Sequence, residues 1–448
     1  MKVQFNKSFF TLFLLLFFIK ASAQTSLDKY TLEKCINYAL DNNYGIRQIN
    51  SEISESSYKT KEMQSKLLPQ ITGSGSIDRN LVIPTIILPG EIVGLPGEKL
   101  PIQNGTKNFL DFSARIEQVI YDPHLFQGIK IAKNNQELKQ LRKSLTEEEM
   151  IYNVSYVFYE IISSEKEGTD VNIILSKQEE LSKIIEQRIK EGVSRPIDLN
   201  RIQVNINNHK LKIKDLENLI FQKKNYLKTL IGFPVDETFE ISYPSSDLNQ
   251  TDDIFFTSTE HDYLELDILE KQKQIVSLQI NQEKKNYLPT LSGLISGGYQ
   301  FQSDELRITK DPWFSSVVVG FRLSVPIFDG FSKRNKIRQL QFQGDNLDFQ
   351  IVEFKQNMLA NEKNALKQLQ TSLELINGQK HNLSLAEDNY GKTYMLYQQG
   401  LISITDVFDT EATLLNTKIS YSKELINYKK NQIDLLKAQG KLKNISKR

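Results

Sequence analysis

Cysteine is almost missing from this chain. Cys35 stands alone in 448 residues, so no intrachain disulfide is available. It lacks the small preceding residue of a lipidation site and reads as a buried helical cysteine. A charge excess is missing too: 56 Lys and Arg meet 55 Asp and Glu, leaving no basic stripe for nucleic acid. His124, His209, His261 and His381 are scattered with no second ligand at helical spacing, so no metal site is expected. There is no Gly-rich phosphate loop, nucleophile elbow or paired cysteine motif. The sequence therefore offers no catalytic residue and asks for no cofactor. Beyond the first two dozen residues no apolar run is long enough for a transmembrane helix, so a membrane span would have to be made of strands.

The first residues differ from the rest. Lys2 and Lys7 precede an apolar run from Phe9 to Ile19, and Ala21-Ser22-Ala23 supplies small residues for cleavage. This is the pattern of a secretory signal peptide over residues 1–23, with a mature chain beginning at Gln24.

The rest is written twice. Leu68-Pro69-Gln70-Ile71-Thr72-Gly73 returns as Leu288-Pro289-Thr290-Leu291-Ser292-Gly293. Arg115-Ile116 with Ile120-Tyr121-Asp122 returns as Arg322-Leu323 with Ile327-Phe328-Asp329. Gly192 with Asp198 returns as Gly400 with Asp406. Two internal repeats follow, residues 24–232 and 261–440, joined by a Pro-, Ser- and Asp-rich connector at 233–260 and trailed by a tail at 441–448. Each repeat predicts a helix (Leu32–Lys66, then Tyr263–Asn286), two strands, and a helical hairpin (123–231, then 330–440).

The strands are predicted at 70–82, 107–121, 290–302 and 314–328. Leu110, Phe112, Ala114, Ile116 and Ile120 alternate with Asp111, Ser113, Arg115 and Glu117, and Val317, Val319, Phe321 and Leu323 alternate with Ser316, Gly320, Arg322 and Ser324. Alternation alone fits a half-buried soluble sheet and a membrane-facing wall equally well. Counting narrows the second option. Four strands cannot close a barrel and open edges are not tolerated in lipid, so a membrane reading requires several chains to pool their strands; three would give twelve.

The helices add to this. No proline falls between Pro123 and Pro196 or after Pro326. A helix over 123–191 would run roughly 100 Å at about 1.5 Å per residue, the order of a periplasm. After the turn, Ile202, Ile206, His209, Ile213, Leu216, Ile220, Lys223, Leu227 and Leu230 keep steps of four and three, a coiled-coil seam.

A strand pair leading into a long helical hairpin, duplicated in one chain, resembles the TolC family of outer-membrane factors. Tyr30-Thr31-Leu32-Glu33 with Ala39-Leu40 and Asn42-Asn43 is similar to the family's opening helix, and Phe328-Asp329-Gly330-Phe331-Ser332-Lys333-Arg334 to its step from last strand into long helix. Tyr397 through Asp409 keeps the family's spacing of Gly400, Asp406 and Asp409. The resemblance implies a mixed α and β membrane protein: a homotrimeric 12-stranded β-barrel, four strands per chain, continued by a long α-helical coiled-coil periplasmic tunnel. It implies a passive efflux channel in the outer membrane, reaching into the periplasm, completed by a periplasmic adaptor and an inner-membrane transporter. One-step protein secretion is an alternative cargo, and a trimeric coiled-coil fibre without a pore is an alternative class.

In that family the aspartates at Asp406 and Asp409 ring the narrowest point of the closed tunnel, and six crowded carboxylates would titrate as a group. Helix capping also accounts for Asp406, since Ser403-Ile404-Thr405-Asp406 is a capping box and Asp198 stands at the same place in the first repeat. Capping does not account for Asp409, whose counterpart is Arg201. Gly192, Arg195, Asp198, Gly400 and Ser403 mark the two hairpin tips, where turn chemistry and adaptor docking are compatible roles. The arginine that helps lock the family's closed state is replaced here by Ile402. Trp313, Phe314 and Phe331 fit a rim girdle or ordinary burial, and Ile83–Gly105 reads as a long extracellular loop.

Overall fold

The computed structural model describes residues 29–243, 263–306 and 308–447. The expected signal peptide, most of the connector beyond residue 243, His261 and the final residue of the tail lie outside them. Seven α-helices are described: α1 (Leu32–Asn42), α2 (Tyr44–Ser65), α3 (Pro123–Lys190), α4 (Pro196–Ile231), α5 (Leu264–Lys285), α6 (Ser332–Gln398) and α7 (Ile404–Ala438). Six strands accompany them: β1 (Gln70–Arg79), β2 (Thr85–Pro89), β3 (Lys99–Gln103), β4 (Asn108–Tyr121), β5 (Thr290–Ser303) and β6 (Trp313–Ser324). The chain divides into two compact units, and each draws on both halves of the sequence: one from 47–146 and 263–360, the other from the remainder.

The first unit holds a four-stranded antiparallel sheet in the order β1-β4-β5-β6. Its register sorts the side chains by chemistry. Ile71 pairs with Ile116, Ile116 with Ile295 and Ile295 with Val319, while Ile77 pairs with Leu110 and Leu110 with Phe301. Because side chains alternate faces along a strand, these residues share one side. Thr72, Arg115, Ser296 and Val318 follow one another on the other, which is mostly polar. Most of the apolar side is bare: Val317, Val319, Phe321 and Leu323 are all at least 65% exposed, while Leu110 and Phe301 at the Trp313 end are buried. The outer edges of β1 and β6 have no strand partner among the described residues.

Aromatic rings gather toward both ends of the sheet. Trp313 stacks 6.1 Å from Phe112 and lies tilted 5.4 Å from Phe301, and its indole N–H donates to Ile308 O at 3.0 Å. At the other end Tyr121, Tyr287, Phe328 and Phe331 are exposed, with Phe328 and Phe331 edge to face at 5.5 Å. Phe331 has φ +65°, a left-handed conformation uncommon outside glycine, where the chain turns into α6.

Three expectations need correcting here. β6 stops at Ser324 rather than 328, because Pro326 has no N–H for a ladder and restrains Val325 before it. β1 stops at Arg79 rather than 82, leaving Leu81 and Val82 almost wholly exposed in the turn. Residues 83–105 are not an irregular loop: β2 and β3 pair as a hairpin around a short 3-10 turn at Gly90–Val93. A two-stranded ribbon has only edges, so Pro89 and Pro101 can sit in it with their missing donors facing outward. A Cβ on Gly90 would lie 2.1 Å from Leu95 O, which fixes glycine there.

Helices of the same unit are joined by ion pairs, Lys139 to Glu52 at 2.5 Å and Lys271 to Glu137 at 2.8 Å, and by an apolar cluster of Val276, Leu340 and Leu347.

The second unit is helical. Every expected seam position from Ile202 to Leu230 on α4 is buried or half-buried, His209 included. Burial lowers the pKa of His209 from its ordinary value, so the seam holds it neutral at neutral pH. A core of Ile151, Val154, Phe158 and Ile161 from α3 meets Cys35, Ile36 and Ala39 from α1 and Leu227 and Ile231 from α4. The described start of the connector closes over it through Phe233, Phe239 and Ile241, and Tyr30 bridges to Ile241.

The opening helix is broken, where one helix over Leu32–Lys66 was predicted. Asn43 is extended (ψ 134°), and its Oδ1 accepts from the N–H groups of Gly45 at 2.7 Å and Ile46 at 3.2 Å, capping α2. Its Nδ2 donates to Leu230 O at 2.6 Å. The break is packed against Gly232 (φ +77°), where a Cβ would lie 2.6 Å from Asn42 O. An asparagine that can cap locally has won over continuous helix.

Candidate functional site at the hairpin tips

Both tips belong to the helical unit and follow one local plan. Each long helix ends on a glycine in the left-handed region, Gly192 at φ +75° and Gly400 at φ +77°. Val193 N–H donates back to Arg188 O at 2.8 Å and Leu401 N–H to Leu396 O at 3.0 Å, which satisfies carbonyls at the helix ends. An acid then sits three residues past the next helix's cap. Asp198 is buried, with Oδ2 accepting from Arg195 N–H at 3.2 Å and lying 3.6 Å from Arg195 Nε. Asp406 is exposed; its Oδ2 accepts from Ser403 N–H at 2.9 Å and from Ser403 Oγ at 2.7 Å. The Ser403 bonds hold the Asp406 carboxyl below its ordinary pKa. The capping role of Asp406 is thus present in the structure.

Asp409 is different. It lies three residues along α7, exposed, and no hydrogen bond or ion pair reaches its carboxylate among the described residues. Asp406 and Asp409 are one helical turn apart, so they stand on the same side of α7. Gly192, Arg195, Gly400 and Ser403 are all exposed.

Two arginines to which the sequence assigned no contact join the tips. Arg188, in the last turn of α3, donates from Nη1 to Tyr397 O at 3.1 Å and from Nη2 to Gln398 O at 2.5 Å. Its guanidinium also sits 5.0 Å from the Tyr397 ring centre. A cation is well placed on the open carbonyls of a helix C-terminus, and here the helix it caps is α6 rather than its own. Arg201 on α4 donates to Thr405 Oγ1 at 2.9 Å. Ile402, where the family's locking arginine would stand, packs with Ile189, Leu199 and Phe408 against a core of Ile185, Ile202, Tyr397 and Val407. A base four residues before a tip glycine was a legible sign of a capping role, but the helix it caps is not readable from one chain position.

The sequence of the second half matches the family described as Outer membrane efflux protein over residues 269–441. The outer membrane protein TolC of Escherichia coli K12 is 25% identical over 172 residues, a match spanning 37% of this chain and 35% of that protein. The fold is shared more widely. The outer membrane protein VceC of Vibrio cholerae superposes with a TM-score of 0.71 at 13% identity, covering 91% of this chain and 96% of that one. The CmeC outer membrane channel of Campylobacter jejuni superposes with a TM-score of 0.71 at 15% identity, covering 93% and 88%. The second half is thus similar in sequence to outer membrane efflux proteins, and the described chain shares the fold of solved outer-membrane channels.

Proposed function

We propose that the chain is the outer-membrane exit duct of a tripartite export system. Three copies pool their four-stranded sheets into a twelve-stranded barrel in the outer membrane, and their helical units line a periplasmic conduit. Small molecules leave through it passively. The observation that carries this reading is the sheet: one face is apolar and largely bare, the other mostly polar, and both edges are open among the described residues. Such a face is costly in water and such edges are intolerable in lipid, and both difficulties vanish when copies close edge to edge with the apolar face outward. The exposed aromatics at both sheet ends fit interfacial girdles. Strands of 10 to 14 residues are long enough to cross when tilted.

In this reading Asp406 and Asp409 of three chains form the periplasmic gate. The exposed, unpaired carboxylate of Asp409 supports it, since a ring of free acids favours cations and resists closer approach. Gly192, Arg195, Asp198, Gly400 and Ser403 present well-formed turns to a periplasmic adaptor, which links the duct to an inner-membrane transporter. Arg188 and Arg201 supply the hold between hairpins that Ile402 cannot. Opening requires contacts that favour the open state over the closed one.

Planar-bilayer conductance of the mature protein, compared with the Asp406→Ala, Asp409→Ala double variant, tests the reading. Small cation-selective currents that grow in the variant are expected. Large currents in both would keep the duct and move its constriction elsewhere, to the β2–β3 hairpin first. No current from folded trimer would overturn the duct and favour a poreless fibre.

A further inference from the structure

On the inward side of α7, Ile404, Val407, Glu411 and Leu414 recur at steps of three and four, so an acid occupies a seam position. It is truly inside: Glu411 is 2% exposed and Gln178, facing it from α3, is also 2% exposed. Gln178 Nε2 donates to Glu411 Oε1 at 2.5 Å. The two remaining oxygens of the same pair, Gln178 Oε1 and Glu411 Oε2, are both buried with no hydrogen-bond partner. Two orphaned acceptors on one pair are a poor fit to a carboxylate, which brings no donor of its own. A single proton removes both defects.

We propose that Glu411 is carried as a neutral acid whose Oε2–H donates to Gln178 Oε1, closing a two-bond acid–amide pair that fastens α7 to α3, and that parting these helices releases the proton to solvent. The groups around it act in both directions, and burial is the largest effect. From α3, Lys177 is the cation felt by Glu411 and opposes the neutral form, but its ammonium lies over the Tyr390 ring at 5.0 Å. From α6 the facing group is Tyr390, with its hydroxyl pushed above its ordinary pKa by burial and then by Glu411, Tyr394 and Glu180. From α4 the same core receives Ile202 and Ile206. Burial outweighs both the bond from Gln178 Nε2 and the Lys177 charge, which favour the carboxylate, and raises the Glu411 carboxyl from 4.5 to about 7.

The sign follows from linkage. A raised pKa in the packed state makes packing fully effective below 4.5 and progressively weaker as pH rises to about 7, by up to about tenfold per pH unit. Above that the loss is complete and the dependence levels off. Glu411→Gln keeps both bonds, because the new amide donates where the acid O–H did, and removes the titration. Gln178→Leu removes the partner at every pH.

Two measurements on the mature trimer in detergent test this. Infrared difference spectra of wild type minus Glu411→Gln should show a neutral-carboxyl carbonyl band below about pH 7 that disappears above it. Hydrogen exchange over 175–182 and 407–415, corrected for intrinsic rates, should lose protection with rising pH in wild type and stay flat in Glu411→Gln. Protection in Gln178→Leu should be low throughout. Absence of the band, pH profiles that coincide in wild type and Glu411→Gln, or protection that follows added sodium or calcium in place of protons would overturn the proposal. None of these readouts requires a channel. A rise in conductance between 4.5 and about 7 in wild type but not in Glu411→Gln is expected if the exit-duct reading also holds. The band and exchange pattern without any current would leave the pair standing and sink the duct.

Discussion

Replacing Arg188 with methionine should loosen the second tip while leaving the rest of the helical unit folded. Methionine keeps much of the aliphatic volume and helix propensity, so the change isolates the guanidinium. Arg188 contributes two charge-assisted bonds, to Tyr397 O and Gln398 O, and a contact with the Tyr397 ring. Hydrogen bonds to charged groups contribute about 1.5–3 kcal/mol when well buried, and an exposed cation–π contact about 0.5–1 kcal/mol. The Arg188 side chain is half-buried and one of the two bonds is exposed, so solvent reduces these values. A net loss of about 2 kcal/mol corresponds to roughly a 30-fold rise in local opening. Hydrogen exchange of amides from 395 to 406 reads that opening directly, in the regime where exchange follows the equilibrium open fraction. Arg188→Lys should recover part of the protection, since a point charge still faces the carbonyls but cannot fork between them. Exchange in Arg188→Met within about twofold of wild type would refute the assignment and leave Ile402 and its apolar neighbours as the sole hold.

Other outcomes follow from the same geometry. Val319→Arg places a charge on the bare face of β6 and should cost about 2–4 kcal/mol of membrane folding if the site lies at mid-bilayer, whereas Val318→Arg on the opposite face should cost little; equal yields of heat-modifiable trimer would count against the outward assignment of that face. Asn43→Ala removes the α2 cap and the bond to Leu230 O and should lower stability by about 1–2 kcal/mol in a denaturant titration; no measurable shift would mean the break is imposed from elsewhere. Cys35 is fully buried with its thiol pushed up to about 12, so alkylation should wait for unfolding; labelling of native protein at neutral pH would contradict the packing of α1.

The strands and hairpins were legible because their signals are periodic. Alternation over 108–121 and 313–324 and the four–three seam of α4 depend on local geometry alone, and the register sets Ile116 beside Ile295 and Ile295 beside Val319. What stayed illegible depended on partners distant in sequence. Asn43 reads as part of an Asn-Asn pair inside a helix until Leu230 and Gly232 are seen beside it. The prolines of residues 83–105 signalled a loop, and only the pairing of Thr85–Pro89 with Lys99–Gln103 shows that a two-edged ribbon tolerates them. At the tips the glycines, Ser403 and both N3 acids were readable as turn chemistry. The helix that Arg188 caps was not, because the arginine's partners are carbonyls 209 and 210 residues away and no residue type marks them.

The two tips share a plan but not a charge pattern, and the difference bears on Asp409. At the first tip the N3 acid, Asp198, is buried against Arg195, so its charge is covered locally. At the second tip the N3 acid, Asp406, has only Ser403 as partner, and Asp409 has none among the described residues. The residue that corresponds to Asp409 in the first hairpin is Arg201, a cation near enough to bond Thr405 on the very same helical turn. Arg201 therefore reaches α7 yet bonds a hydroxyl, and Arg188 reaches α6 and bonds carbonyls. Both cations tie the hairpins together through neutral acceptors. Two jobs that one arginine beside the acids would mix are thus kept apart: the hold between hairpins rests on arginines of the first, and the exposed carboxylates of the second keep their charge. Exchanging Thr405 for valine should free Arg201 to pair with a neighbouring acid. If Asp406 and Asp409 act as a charged gate, Thr405→Val should then weaken cation selectivity without changing the number of acids. Unchanged selectivity, with Arg201 shown to have moved, would remove the charged gate and leave capping as the role of Asp406.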